Sequence, residues 1–439
     1  MCVSPRATGS LLLLFLFPSI GGLLTGCDSN EPRPPDPKQI NCEGTLPAAV
    51  EWETPQHIPI DVQGIASHPD IAVNDSKKFV AIHKVDTTQQ FAAPSEIYVL
   101  RRTEAGWSEP INVSQSGTPS SRPVIATEPG GTVHLVWGER LQDATPRPGA
   151  PPDAVYYARS TDNGQTWSAP EEVFASRSDA FFSMPHSLAF DADGHLHLVF
   201  SSRESDNRPA QIRHFERMST GWTGGRTSIG DRGGGKEPDI AIGPEGRFLV
   251  TYIAADTSRQ ERDRNSVFFT WSEDGGETWE KRILVHRSGF DEPGFSPTIA
   301  ASSNGRIQIV WRKSLTGDLK PEALFGSCST DGGERWAKAK NLTPSIAGQG
   351  IPSTPEVAVD ERGATNVTFQ MGGFNTSSFP AYHLRGIGED WTSPRNLFGT
   401  SGAAQHVGLT SDDDGHLHLT LRMIDRDPEG VYYSIGTPQ

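Results

Sequence analysis

Short runs of alternating apolar and polar residues fill the chain from about residue 50 onward. In one of them Val133, Leu135 and Trp137 share a face while His134 and Val136 take the other. A period of two sustained over five or six residues predicts a strand. Phe200, Tyr252, Trp311 and Phe369 stand where Trp137 stands, in later runs of the same kind. Between paired runs lie Asp193-Gly194 and Asp414-Gly415, dipeptides whose tolerance of positive φ suits a tight hairpin. The pattern predicts an all-β fold.

The strands recur in units. Each unit opens on a proline followed by apolar residues: Pro69-Asp70-Ile71-Ala72, Pro123-Val124-Ile125-Ala126, Pro185-His186-Ser187-Leu188-Ala189, Pro238-Asp239-Ile240-Ala241, Pro297-Thr298-Ile299-Ala300 and Pro355-Glu356-Val357-Ala358, with a weaker copy from His406. The starts are 51 to 62 residues apart, a spacing that suits β-propeller blades. Units close on a second phrase, Ser160-Thr161-Asp162-Asn163-Gly164-Gln165-Thr166-Trp167, repeated at Ser272–Trp279 and Ser329–Trp336, with degenerate copies ending at Trp107, Trp222 and Trp391. Its aspartate accepts bonds from turn amides, its glycine takes positive φ, and its tryptophan packs between strands. Six closing tryptophans serve seven opening phrases. Val50 to Ile58, with Trp52, resembles the missing piece (compare Trp167 to Val173). The expectation is a seven-bladed β-propeller whose last blade is completed by an N-terminal strand, which removes an exposed edge.

The residues Ser160, Asp162, Gly164 and Trp167, then Ser272, Asp274, Gly276 and Trp279, then Ser329, Asp331, Gly333 and Trp336 match the Asp-box S-x-D-x-G-x-T-W, with Arg335 replacing threonine in the third. Through them, over residues 50–436, the chain resembles the sialidase-like propellers with Asp-box (BNR) repeats. The resemblance implies that the boxes are structural and lie on the face opposite the binding site. Ser121-Arg122-Pro123 and Trp137-Gly138-Glu139-Arg140 are similar to the family's opening blade. That implies Arg122 for the first carboxylate-binding arginine and Asp143 or Asp153 for the acid/base, with Glu139 a further carboxylate candidate. No second or third arginine motif accompanies them, no tyrosine stands in a nucleophile setting, and the family's catalytic members have six blades rather than seven.

Charge adds a second theme. The chain has 439 residues and a formal charge of −15, which argues against a general nucleic-acid binder. Its 45 glycines and 34 prolines favour turns over long helices. Yet the ends of second strands carry Lys84, Arg140, Arg203, Arg312, Lys313 and Arg422, and the starts of first strands carry Arg122 and Lys236. Arginine offers a planar fork for carboxylate, sulfate or phosphate. Arg122, Arg140, Arg203, Lys236, Arg312 and Arg422 are therefore the expected ligand-binding set, for an acidic glycan or a similar anion. The competing reading pairs these cations with Glu139, Glu204, Glu237 and Asp425. Glu139, Glu204, Glu237 and Asp239 would also serve a glycosidase or lyase that uses paired carboxylates. His195-Leu196-His197 and His416-Leu417-His418 invite a metal, but their counterparts Gln308 and Asn366 show a polar strand position common to the repeat. Asp412-Asp413-Asp414-Gly415 lacks a calcium loop's spaced ligands and closing glutamate and reads as a hairpin turn. No metal and no cofactor are expected.

The front of the chain reads as an address. Arg6 precedes the apolar run Leu11 to Phe17, and Leu24-Thr25-Gly26-Cys27 resembles the bacterial lipobox, which implies lipid on Cys27. The expected division is a signal peptide over 1–26, a tether over 27–48 stiffened by Pro32, Pro34, Pro35 and Pro37, and the propeller over 49–439. Such a protein belongs to the cell envelope outside the cytoplasm, lipid-anchored, with the leaflet open. Cys42 and Cys328 read as unpaired, with a bridge as the alternative in an oxidising compartment. Three functions follow: binding of an acidic glycan, exo-α-sialidase or other glycoside hydrolase activity, and scaffolding of envelope proteins.

Overall fold

The computed structural model describes residues 39–60, 64–74, 77–85, 95–128, 130–140, 154–175, 182–202, 210–229, 234–256, 265–289, 293–314, 322–346, 350–353, 355–372, 379–399 and 403–439, the backbone alone at 182–186 and 226–228. Cys27, Asp143, Asp153, Arg203 and Glu204 lie outside the described residues.

Seven antiparallel sheets follow one another along the chain. Blade 2 shows the plan: Ser120–Thr127, Val133–Glu139, Ala154–Ser160 and Glu171–Ala175 pair in sequence order. The first strands of the seven blades are Ile65–Asn74, Ser120–Thr127, Phe182–Phe190, Lys236–Ile242, Gly294–Ala301, Glu356–Val359 and Ala404–Ser411. They touch one another in turn around the ring, blade 7 meeting blade 1, so the protein is a seven-bladed β-propeller. The N-terminal strand closes it as the sequence pattern predicts. Val50 pairs with Pro438 and Trp52 with Gly436, then Gln56 and His57 pair with Tyr433 and Tyr432.

No single core holds the ring. Each neighbouring pair of blades has its own apolar cluster, and each cluster contains one closing tryptophan, from Trp107 between blades 7 and 1 to Trp52 between blades 6 and 7. Trp137, Phe200, Tyr252, Trp311 and Phe369 are wholly buried in the same interfaces. The inner edges are laced by side chains. Asp70 Oδ2 accepts the Ile125 N–H at 2.8 Å, Ser187 Oγ accepts Ile240 N–H at 3.3 Å, and Asp239 Oδ2 accepts Ile299 N–H at 2.8 Å. Each bond runs from one blade to the next and satisfies an edge donor that no strand pairs.

The cysteines correct the sequence reading. Cys42 and Cys328 are joined as a disulfide across 286 residues, and both are buried. Sequence spacing carries no information about a contact of that range. Residues 39–48, read as the end of the tether, lie along the body: Ile40 N–H donates to Trp336 O at 3.4 Å, Glu389 N–H to Cys42 O at 2.9 Å, and Arg385 Nη1 to Ala48 O at 2.9 Å.

Candidate functional site

Strand register separates the two faces of the ring. In blade 2 Ser120 lies opposite Glu139 and Glu139 opposite Ala154, whereas Thr127, Val133 and Ser160 meet at the other end. The Asp-box follows Ser160, so Arg122 and the boxes stand at opposite ends of strands roughly 20 Å long.

At the Arg122 end the first strands break register in the same place. The shift falls between Ser67 and Asp70, Ser121 and Val124, Lys236 and Asp239, Phe295 and Thr298, and Gln405 and Val407. Inside these bulges His68, Arg122, Glu237, Ser296 and His406 all have positive φ, between 45° and 51°. A bulge re-aims a side chain, and non-glycine residues in this conformation cluster at functional sites. Four of the five precede a proline, whose ring restricts the backbone before it.

Three of these blades bring their polar groups together. The His68 and His406 rings stack with centroids 3.5 Å apart, and His68 Nδ1 lies 3.5 Å from His83 Nδ1 and 3.1 Å from Ser67 Oγ. Burial first, then the cost of placing a second positive charge beside His406, His83, Arg122 and Arg422, pushes His68 down to about 2. Burial and the same arginines hold His406 at about 4, and burial with His406 and Arg122 holds His83 at about 4. These imidazoles are neutral at physiological pH and stand beside two permanent cations. Arg422 Nη1 donates to Gln405 Oε1 at 2.8 Å and Nη2 to Glu429 Oε1. Arg122 is solvent-exposed in the mouth, yet its surroundings thin its hydration and lower its pKa, an effect the Glu237 carboxylate opposes. Glu237 Oε2 in turn accepts the Ser296 N–H at 2.6 Å and its hydroxyl at 3.2 Å.

The other candidates separate. Glu139 is buried and accepts from the Ser116 and Thr118 hydroxyls, from Ser120 Oγ at 2.7 Å and from Trp137 Nε1 at 2.9 Å. Four donors leave it no part in acid/base chemistry; it anchors the segment that leads into Arg122. Arg312 is held between blades by Pro352 O at 3.1 Å, by Glu322 at 3.9 Å and over the Phe295 ring. Arg140 donates its backbone N–H to Pro119 O, and Lys236 is exposed beside Glu237. The structure thus places Glu237, already a carboxylate candidate from the sequence, on the same rim as Arg122 and Arg422, and adds His68, His83 and His406, which the charge pattern missed. The available signal was the residue just before each opening proline.

The opposite face is structural. Asp162 Oδ1 accepts Ser160 Oγ at 2.7 Å and Thr166 N–H at 2.9 Å, while Oδ2 accepts Thr166 Oγ1 at 2.6 Å. These bonds, the Thr166 hydroxyl first, push Asp162 down to about 2. In the third box Arg335 Nε replaces the threonine hydroxyl on Asp331 Oδ2, at 2.7 Å. His197 is buried between Asp191, at 3.3 Å, and His214, at 3.0 Å. His418 is likewise held by Asp412 at 2.9 Å and Tyr433 at 2.7 Å. Asp412, Asp414 and His416 come close enough to share a cation, but Asp412 is already committed to the His416 N–H at 2.7 Å and to His418.

Residues 92–282 match the BNR repeat-like domain. An ulvan lyase, a polysaccharide lyase bound to -[GlcA(1-4)Rha3S]-, is 11% identical over 86% of this chain and 95% of its own, with a TM-score of 0.57. A protein of unknown function from Dyadobacter fermentans is 14% identical over 89% and 99%, with a TM-score of 0.54. An α-L-arabinofuranosidase from Fusarium graminearum is 15% identical over 71% and 91%, with a TM-score of 0.50. At such identities the likeness is one of fold. No curated protein matches by sequence.

Proposed function

For this sialidase-like propeller with BNR repeats, we propose that the mouth formed by blades 7, 1 and 2 binds the anionic group of an acidic glycan. One observation carries the reading: the stacked His68–His406 pair, with His83 against it, shares the rim opposite the Asp-boxes with the bulged Arg122 and with Arg422, which is held by Gln405 next to His406. The Arg122 guanidinium supplies charge-assisted, bidentate bonds to a carboxylate or sulfate, and Arg422, held by Gln405 and Glu429, adds positive charge beside it. Neutral imidazoles add donors and acceptors for hydroxyls without adding charge. The likeness in fold to glycan-active enzymes, the ulvan lyase among them, is consistent with a sugar ligand.

The test is titration of the purified protein with a uronate oligosaccharide. Arg122→Ala is expected to weaken binding at least tenfold, while Glu334→Ala, exposed on the Asp-box face, changes nothing. Retention of wild-type affinity by both Arg122→Ala and Arg422→Ala would remove the proposal. A catalytic reading rests on the same groups: a bound anion that neutralises the arginines would raise the basicity of the buried imidazoles and let one of them abstract a proton next to the ligand's carboxylate. It predicts new chain ends on incubation with uronate or sialoside substrates, lost in His68→Ala.

The site is further proposed to work outside the cytoplasm, on a lipid anchor at Cys27. The Cys42–Cys328 bond supports an oxidising compartment, and residues 39–48 lie at the Asp-box end, leaving the mouth unobstructed by this segment. Mass spectrometry of the N-terminal peptide tests the anchor: an unmodified Cys27 in the mature protein would rule it out.

A further inference from the structure

We infer that Glu237 sets the specificity of the mouth: it selects acidic sugars that present a hydroxyl or ammonium group opposite their anion, and it rejects ligands that carry a second anion there. This rests on the anion-binding reading of the Arg122–Arg422 side.

The five bulged residues occupy one register position at one rim, so they form parts of a single ring. That ring is chemically lopsided. His68, Arg122 and His406 make a basic arc on blades 7, 1 and 2, backed by Arg422. Glu237 and Ser296 make an acceptor-rich arc on blades 4 and 5. The first strands of the seven blades meet in turn around the ring, and Arg122 and Glu237 occupy the same bulge position on either side of blade 3, so both arcs line one opening.

Glu237 is also held still. Its Oε2 takes both the N–H and the hydroxyl of Ser296, whereas Oε1 has no hydrogen-bond partner among the described residues. A pinned carboxylate with one oxygen to spare is a ready acceptor for a ligand donor, and it loses little freedom on binding. Lys236 beside it is exposed and is screened by solvent. A sulfate or second carboxylate at the same place would meet like charge and leave Oε1 unpaired. Discrimination here comes from a repulsive element as much as from an attractive one.

The experiment compares two labelled probes by fluorescence anisotropy on the full chain: a uronate tetrasaccharide with free hydroxyls, and the same tetrasaccharide fully O-sulfated. The wild-type protein is expected to prefer the unsulfated probe at least tenfold. Glu237→Gln keeps shape and one acceptor but removes the charge, and is expected to bring the preference within about threefold by strengthening binding of the sulfated probe. Ser296→Ala, which removes the hydroxyl bond and leaves only the backbone N–H to hold the carboxylate, is expected to reduce the preference by a smaller factor and serves as the test should Glu237→Gln not fold. If wild type binds both probes equally, or if folded Glu237→Gln keeps the full preference, the role of Glu237 is overturned while the anion site stands. If folded wild-type protein binds neither probe, both fall together.

Discussion

Carboxylates in this protein owe their character to their neighbours. Asp162, on the surface, is held far down by the donors of its own turn. Asp70 lines the channel, where burial raises it to about 6, against the Ile125 and Ile71 amides that lower it. Glu356 is raised well above its ordinary value by burial and then by Asp70 and Asp239. Because Asp70 is raised in the folded state, its contribution is intact below about pH 4, where the carboxyl is neutral both folded and unfolded. It is lost as pH climbs through about 6. Asp70→Asn keeps an acceptor for Ile125 and loses the charge. It is expected to be more stable than wild type by about 3 kcal/mol at pH 8, with the gap closing below pH 4; urea melts across that range measure it. A variant less stable at pH 8 would contradict this account.

Among the elements, the Asp-box turn docks onto the preceding blade rather than only closing its own. Gly333 has φ of +92°, and a Cβ there would lie 2.1 Å from the Phe269 ring of blade 4. Gly131 has φ of +89° with nothing within 4 Å. Alanine should therefore cost about 1 kcal/mol at Gly131, for backbone strain alone, and about 3 kcal/mol or more at Gly333, where strain and overpacking combine. Equal losses in denaturant titrations would argue against the docking role. The bulged first strand is the complementary element at the other rim. Glu139 gathers Ser116, Thr118 and Ser120 just ahead of Arg122, so Glu139→Ala is expected to cost about 2–3 kcal/mol of stability. It should also weaken uronate binding without touching the ligand, seen as lower affinity in a protein that still melts cooperatively.

The molecule as a whole is a ring with a seam. Blade 7 is built from both ends of the described chain, and the segment that leads into it is held by the Cys42–Cys328 bond and by Arg306 Nη2 on Glu43 O at 3.1 Å. A cross-link over 286 residues removes much freedom from the unfolded chain. The double variant Cys42→Ser, Cys328→Ser is expected to lose about 2–4 kcal/mol while keeping its fold, read as a lower melting temperature. Deletion of residues 1–58 strips the partner from Gly430–Pro438 and bares a strand edge; light scattering should then show concentration-dependent oligomers. A monodisperse monomer of unchanged stability would mean that the seam needs no strand.

Local patterning alone was enough to reveal the blade. Hairpin dipeptides, period-two strands and three Asp-boxes act over a few residues each, and the leftover Trp52 identified the seventh outer strand because every blade interface needs one such ring. Contacts that join distant stretches were decided by the fold. Cys42 meets Cys328, and His68 meets His406, only because the ring brings blade 7 back to blade 1. The positive charges were visible along the chain, yet which of them share a mouth depends on bulges that turn one residue per blade toward it. Chain chemistry determines what each strand end offers; closure of the ring determines which ends face one another.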